Sequence, residues 1–151
     1  MRRRLTAVML TNGGRLMSRF PWRHPISTVV GVVFVVDDDE AVRDSLRQFL
    51  EVCGYTVRDY ATGVGFLAAI GRQDQGCLVL DCELNDMNAL DVMETLRRRK
   101  IDLPTILVTD INNPSIAQNA NRAGVRHILE KPWDCTHFLK LIDQMERARS
   151  H

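Results

Sequence analysis

The stretch VFVVDDDEAVRDSLRQFLEVCGYTV, residues 33–57, decides the fold of this chain. Its opening belongs to a β-branched and aromatic run, Val32–Val36, the composition of a strand buried on both faces. Asp39 then stands where a helix N-cap is needed. Val42, Leu46, Phe49 and Leu50 recur at helical spacing over about Glu40–Val52. Gly54 suits the left-handed residue that ends such a helix. Tyr55–Tyr60 follows as a second, partly polar strand.

Working outward, the same alternation continues to the end of the chain. Thr62 caps a short helix holding Phe66, Leu67 and Ile70, and Cys77–Leu80 is a third strand. Leu90–Arg99 is a third helix with Leu90, Met93 and Leu96 inward. Thr105–Val108 is a fourth strand, with Pro104 at its start where a missing N–H is tolerable. Asn113-Pro114 is a cap followed by a first-turn proline, and the helix it opens ends at Gly124. The inward face of that helix, Ile116, Ala117, Ala120 and Ala123, has little bulk. His127–Leu129 is a fifth strand, and Asp134 caps a last helix carrying Phe138, Leu139, Ile142 and Met145. Five strands alternating with five helices predict an α/β domain, a parallel sheet with helices on both faces.

The 151 residues suffice for one domain with a sizeable core, and 45% hydrophobic with 26% charged residues is ordinary for a globular chain. The longest apolar run, Val29–Val36, is far too short to span a membrane. Cys53, Cys77, Cys82 and Cys135 form no zinc-type spacing, and reduced thiols in a cytoplasmic protein are expected. The net charge of +1 conceals a division. Residues 1–31 hold six arginines and no acid, whereas the rest holds fourteen basic and nineteen acidic side chains, a balance of −5. Residues 1–28, with Asn12-Gly13-Gly14, Pro21 and Pro25, are expected to be a flexible basic extension ahead of a domain at 29–151. A solvated tail is the first expectation for this arm. A transit peptide, or contact with nucleic acid or an anionic surface through Phe20, Trp22 and the arginines, are its alternatives.

In parallel sheets of this kind ligands gather at the carboxyl ends of the strands. The first strand runs into Asp37, Asp38 and Asp39, the third into Asp81, the fourth into Thr109, and just past the fifth stands Lys131. Any one of these is commonplace; their joint fall on strand ends of one sheet is not. Adjacent carboxylates repel one another unless a cation compensates, and oxygen ligands of this kind are what Mg²⁺ requires. The set suits phosphoryl transfer onto a carboxylate, with Asp81 as acceptor. In that scheme Asp37 and Asp38 hold the metal, Lys131 meets a phosphoryl oxygen as a point charge, and Thr109 donates a hydrogen bond to another.

The ordered motifs VFVVDDDEAVRDSLRQFLEVCGYTV, CLVLD, LPTILVTD and ILEKPW resemble the receiver domain of two-component response regulators over residues 32–146. The resemblance implies a flavodoxin-like, doubly wound five-stranded sheet of order 2-1-3-4-5. It implies phosphorylation of Asp81 by a histidine kinase or phosphotransfer protein, with Thr109 and Lys131 as the other catalytic side chains. The metal, Mg²⁺ or Mn²⁺, would be held by Asp37, Asp38, Asp81 and the backbone carbonyl of Glu83. A cis Lys131–Pro132 bond is also implied. Such a chain is a self-phosphorylating acceptor rather than a turnover enzyme. With no output domain after the last helix, it is expected to be a stand-alone receiver that signals by docking to a downstream protein, with no nucleic-acid contact except through the arm, or else a fragment. The fourth helix, fifth strand and fifth helix, with Trp133 as a candidate anchor, would form the docking surface.

The sequence departs from the family pattern at four places. Asn85 and Ala89 stand where a proline and a glycine are usual. A left-handed conformation is costly for alanine, so another loop path is expected. Asp110 follows the switch hydroxyl in place of a small residue. Ile128 replaces the usual aromatic ring, packing inward as an aliphatic side chain can, with His127 beside it as a surface residue. These departures keep open a pseudo-receiver that binds partners regardless of phosphorylation. Asp37-Asp38-Asp39 also meets the bare D-x-D pattern of haloacid-dehalogenase-like phosphatases, although Glu40-Ala41 breaks its continuation. Cys82, next to Asp81, is expected to be a buried packing residue.

Overall fold

Val32–Val36 forms strand β1, four of its five residues buried, as its unbroken apolar composition requires. The computed structural model describes residues 31–109 and 114–150. After β1 come α1 (Glu40–Val52), β2 (Thr56–Tyr60), α2 (Gly63–Ala69), β3 (Cys77–Asp81) and α3 (Ala89–Arg98). The chain continues through β4 (Thr105–Thr109), α4 (Pro114–Arg122), β5 (His127–Glu130) and α5 (Cys135–Ser150). The strands form one parallel sheet of order β2-β1-β3-β4-β5. This is the α/β, flavodoxin-like order that the resemblance implied.

Successive strand residues point to opposite faces, and the core divides accordingly. On one face Val33, Val35, Val57, Cys77, Val79, Ile106 and Val108 meet Leu46 and Leu50 of α1 and Phe138, Leu139, Ile142 and Met145 of α5. On the other, Phe34, Val36, Leu78, Leu80 and Leu107 meet Phe66 and Leu67 of α2, Ala89, Val92, Met93 and Leu96 of α3, and Ala120 of α4. Burying each such aliphatic or aromatic side chain contributes about 1.5–3 kcal/mol, so the two faces together dominate the stability. All four cysteines are free thiols. The buried Cys77 thiol is held well above its ordinary range by burial and by the adjacent Glu146 carboxylate.

The helix caps follow the sequence closely. The Asp39 side chain accepts from the Ala41 and Val42 N–H groups, Thr62 from Gly65, and Asp134 from Thr136. Gly54 ends α1 with φ 100°. The third helix starts at Ala89, one residue earlier than expected, because Asn88 is its cap and accepts from the Leu90 N–H. Ala89 is thus the first helical residue and fully buried. No left-handed residue is needed at that position.

Three expectations are corrected. Ala117 is exposed, so the inward face of α4 is Ala120 with the half-buried Ile116 and Ala123. Ile128 does not pack inward; it is 38% exposed on the edge strand, because the strand alternation turns its neighbour Leu129 into the core. Cys82 is only half-buried, packed against the core face that holds Phe34 and Leu80. His127 is half-buried, and burial, with the Arg126 and His137 charges, holds its pKa below the usual histidine value. The basic arm, the Asn113 cap and Asp110 lie outside the described residues.

Candidate functional site

The register of the sheet brings the site together. Val36 is level with Leu80, Asp81 with Val108, and Thr109 with Glu130. Asp37 is therefore level with Asp81, Thr109 stands one residue beyond them and Lys131 two, all at the same end of four adjacent strands that lie about 4.8 Å apart. Asp37, Asp81 and Thr109 are buried, and Asp38 is half-buried. The Lys131 N–H donates to the Thr109 carbonyl at 2.8 Å, and the Lys131–Pro132 bond is cis.

Asp37, Asp38 and Asp81 each present a carboxylate oxygen, the three lying within 4.8 Å of one another. Opposite ligands of an octahedral Mg²⁺ are about 4.2 Å apart, twice the metal–oxygen distance, so small side-chain rotations would close this group on one ion. All three donors are hard oxygens, which suits Mg²⁺ or Mn²⁺ and not a thiolate-seeking metal. The Lys131 ammonium faces them, its Nζ 3.7 Å from Asp81 Oδ1.

The electrostatics follow from confinement. Burial is the main cause that lifts the Asp37 pKa to about 6, against the Asp39 N–H and Lys131; the Asp81 and Asp38 charges add to the rise. Asp81 is raised by burial and by Asp38, with the Glu83 N–H and Lys131 pulling the other way. Three carboxylates thus face one ammonium, and the pocket is short of positive charge by roughly the amount a divalent cation supplies.

Several supports had no partner legible in the sequence. Arg43, on the first turn of α1, reaches back to donate to the Asp37 carbonyl at 2.8 Å, and its Nε donates to Asp59 of β2 at 3.2 Å. Arg47 also donates to Asp59. The tilt of helical side chains toward the N-terminus was the one available clue to Arg43. In the β3–α3 loop, the Asn85 N–H donates to Asp38 Oδ2 at 3.1 Å. The Asp86 carboxylate accepts from the Gly63 and Val64 N–H groups at the start of α2. Beside Lys131 lies an apolar groove of about 600 Å³ between α1 and the β5–α5 loop, lined by Val42, Leu46, Phe49, Pro132, Trp133 and Phe138 among others. Trp133 is half-buried there, its ring centroid 5.8 Å from that of Phe138.

Residues 33–143 match the response regulator receiver domain family. The chain belongs to that family. Among its relatives is the transcriptional regulatory protein FixJ of Rhizobium meliloti (strain 1021), 34% identical over 119 residues that make up 79% of this chain and 57% of that protein. The chain spans about half the length of the curated FixJ and TodT relatives it matches. Among solved structures, full-length FixJ from B. japonicum matches with TM-score 0.74 and 27% identity, over 80% of this chain and 59% of that one. A CheY-like receiver domain protein from Methanospirillum hungatei JF-1 matches with TM-score 0.71 and 27% identity, over 80% of this receiver and 99% of that chain. No helix among the described residues is long and apolar enough to cross a membrane.

Proposed function

We propose that this receiver accepts a phosphoryl group on Asp81 from a histidine kinase or a phosphotransfer protein, in a cytoplasmic two-component pathway. The observation that carries the reading is the placement of Lys131 Nζ 3.7 Å from Asp81 Oδ1, opposite three carboxylates that share a 4.8 Å space. Asp37, Asp38 and Asp81, with the Glu83 carbonyl, would hold the Mg²⁺, which when bound neutralises charge on the transferred phosphoryl oxygens.

The chain's own groups do the remaining work. An Asp81 carboxylate oxygen forms the new bond to phosphorus while the bond from phosphorus to the donor nitrogen breaks, the donor keeping that electron pair. The Glu83 N–H, 3.3 Å from Asp81 Oδ1, fixes the carboxylate plane before attack. Lys131 meets the negative charge arriving on Asp81, and the Thr109 hydroxyl, on the next strand end, donates to a phosphoryl oxygen. A phosphodonor protein must bring its group into this pocket, and the groove beside Lys131 is the apolar surface against which it would rest.

Output would be by docking to a downstream protein through α4, β5 and α5, where the exposed Ile128 is an apolar contact. The relative from Rhizobium meliloti carries the name of a transcriptional regulator, and a role for this chain in transcriptional control is part of the proposal. The test is incubation with acetyl phosphate and Mg²⁺, followed by intact mass. The unmodified protein is expected to gain one phosphoryl group and Asp81→Asn none. No gain by the former, or an equal gain by both, would refute the assignment. A label mapped to Asp37 would instead indicate phosphatase-like chemistry.

A further inference from the structure

We propose that the backbone N–H of Asn85 is a positioning donor that holds Asp38 in the metal pocket and ties the β3–α3 loop to it. The inference rests on the reading of that pocket as a divalent-cation site. Asn85 N lies 3.1 Å from Asp38 Oδ2, across 47 positions of sequence. The side chain of Asn85 is exposed, so the contact belongs to the backbone and needs only a residue that has an N–H. Proline, the residue the family resemblance leads one to expect here, has none.

The donor is itself held in place. Its neighbour Asp86 accepts from Gly63 at 3.1 Å and Val64 at 2.9 Å, which pins the loop to the start of α2. Burial raises the Asp86 pKa, but the N–H groups of Val64, Gly63, Asp86 and Met87 together leave it lowered, the sign of a carboxylate engaged in its charged form. Two residues on, Asn88 caps α3. The Asn85 N–H thus approaches Asp38 from a loop fastened on both helices, while Asp37 is fastened separately through its own bond from the Asp39 N–H at 2.9 Å. Of the three pocket carboxylates, Asp38 is the least buried and has the most freedom to swing into solvent. A fixed donor on one of its oxygens limits the swing of the carboxylate and leaves the other oxygen available to an ion shared with Asp37 and Asp81. The ordering entropy of one ligand is then met by folding rather than by metal binding.

The experiment titrates Mg²⁺ in calorimetry into the full chain, Asn85→Pro and Asn85→Ala, and follows amide exchange of residue 85 in the metal-free full chain and in Asp38→Ala. Asn85→Pro is expected to bind Mg²⁺ about fivefold more weakly, the factor set by the net worth of one hydrogen bond. Asn85→Ala, which keeps the N–H, is expected to bind within about twofold of the unmodified protein, as a replacement that removes no hydrogen bond should. Equal affinity in Asn85→Pro, or equal weakening in both variants, overturns the proposal. Should Asn85→Pro fail to fold, exchange decides. Asp38→Ala must speed exchange of the Asn85 amide relative to the unmodified chain, and unchanged exchange overturns the proposal. Failure of the unmodified protein to bind Mg²⁺ would overturn the pocket reading and this proposal together. Binding without a difference at Asn85→Pro would overturn this one alone.

Discussion

Replacing Asp37 with asparagine is expected to stabilise the metal-free protein while weakening its hold on Mg²⁺. The Asp37 pKa is lifted from 3.8 to about 6, chiefly by burial. At 1.36 kcal/mol per pKa unit, keeping this group ionised costs the native state ~3 kcal/mol at neutral pH. An asparagine oxygen still accepts from the Asp39 N–H, and the charge assistance that bond loses is already contained in the value of about 6. The gain is therefore ~3 kcal/mol, about 12 °C in Tm for a domain of this size. The sign of the pH dependence follows from the raised value. Between about 3.8 and 6 the native chain holds a proton that the unfolded chain has released, so stability falls as pH rises through that window. The advantage of Asp37→Asn should therefore be complete above about pH 6 and disappear towards pH 3.8. Urea denaturation in EDTA at pH 7 and pH 4 measures both. Adding Mg²⁺ to about a hundred times its Kd should restore ~2.7 kcal/mol to the unmodified protein and much less to the variant. An Asp37→Asn protein no more stable than its parent at pH 7 in EDTA would refute this account of the pocket.

Three further outcomes are expected. Asp59→Asn should lose about 1 kcal/mol at pH 7 in denaturant titrations: burial raises the Asp59 pKa, but Arg47 and Arg43 outweigh it and leave the value lowered. A lowered carboxylate stabilises above its unfolded pKa and stops doing so as pH falls through its folded one, so the difference between the two proteins should fade in acid. Gly76→Ala should cost ~2 kcal/mol in Tm-derived stability, since Gly76 has φ +151° and an added Cβ would meet the Val32 carbonyl oxygen at 2.3 Å; an unchanged Tm would contradict the close approach. Lys131→Met should slow phosphorylation by acetyl phosphate about a hundredfold while the domain still folds, as followed by intact mass against time. A rate within twofold would remove Lys131 from the proposed chemistry.

The chain alone determined the order of elements, because each boundary carries its own local chemistry. Asp39, Thr62 and Asp134 cap helices with side chains two or three residues from their partners, and the short buried runs, β-branched in β1 and β4 and leucine-rich in β3, are bounded as buried strands are. The acids, the hydroxyl and the ammonium were legible for a similar reason: each stands at a strand end, and a parallel sheet aligns such ends. Tertiary structure alone decided what those residues touch. Which oxygen of Asp38 meets the Asn85 N–H, how Arg43 reaches the Asp37 carbonyl and why Ile128 faces outward depend on partners or neighbours brought close by the sheet register and by helix packing. Hydrogen bonds and burial act over ångströms, and sequence spacing fixes such distances only within a turn or two of chain.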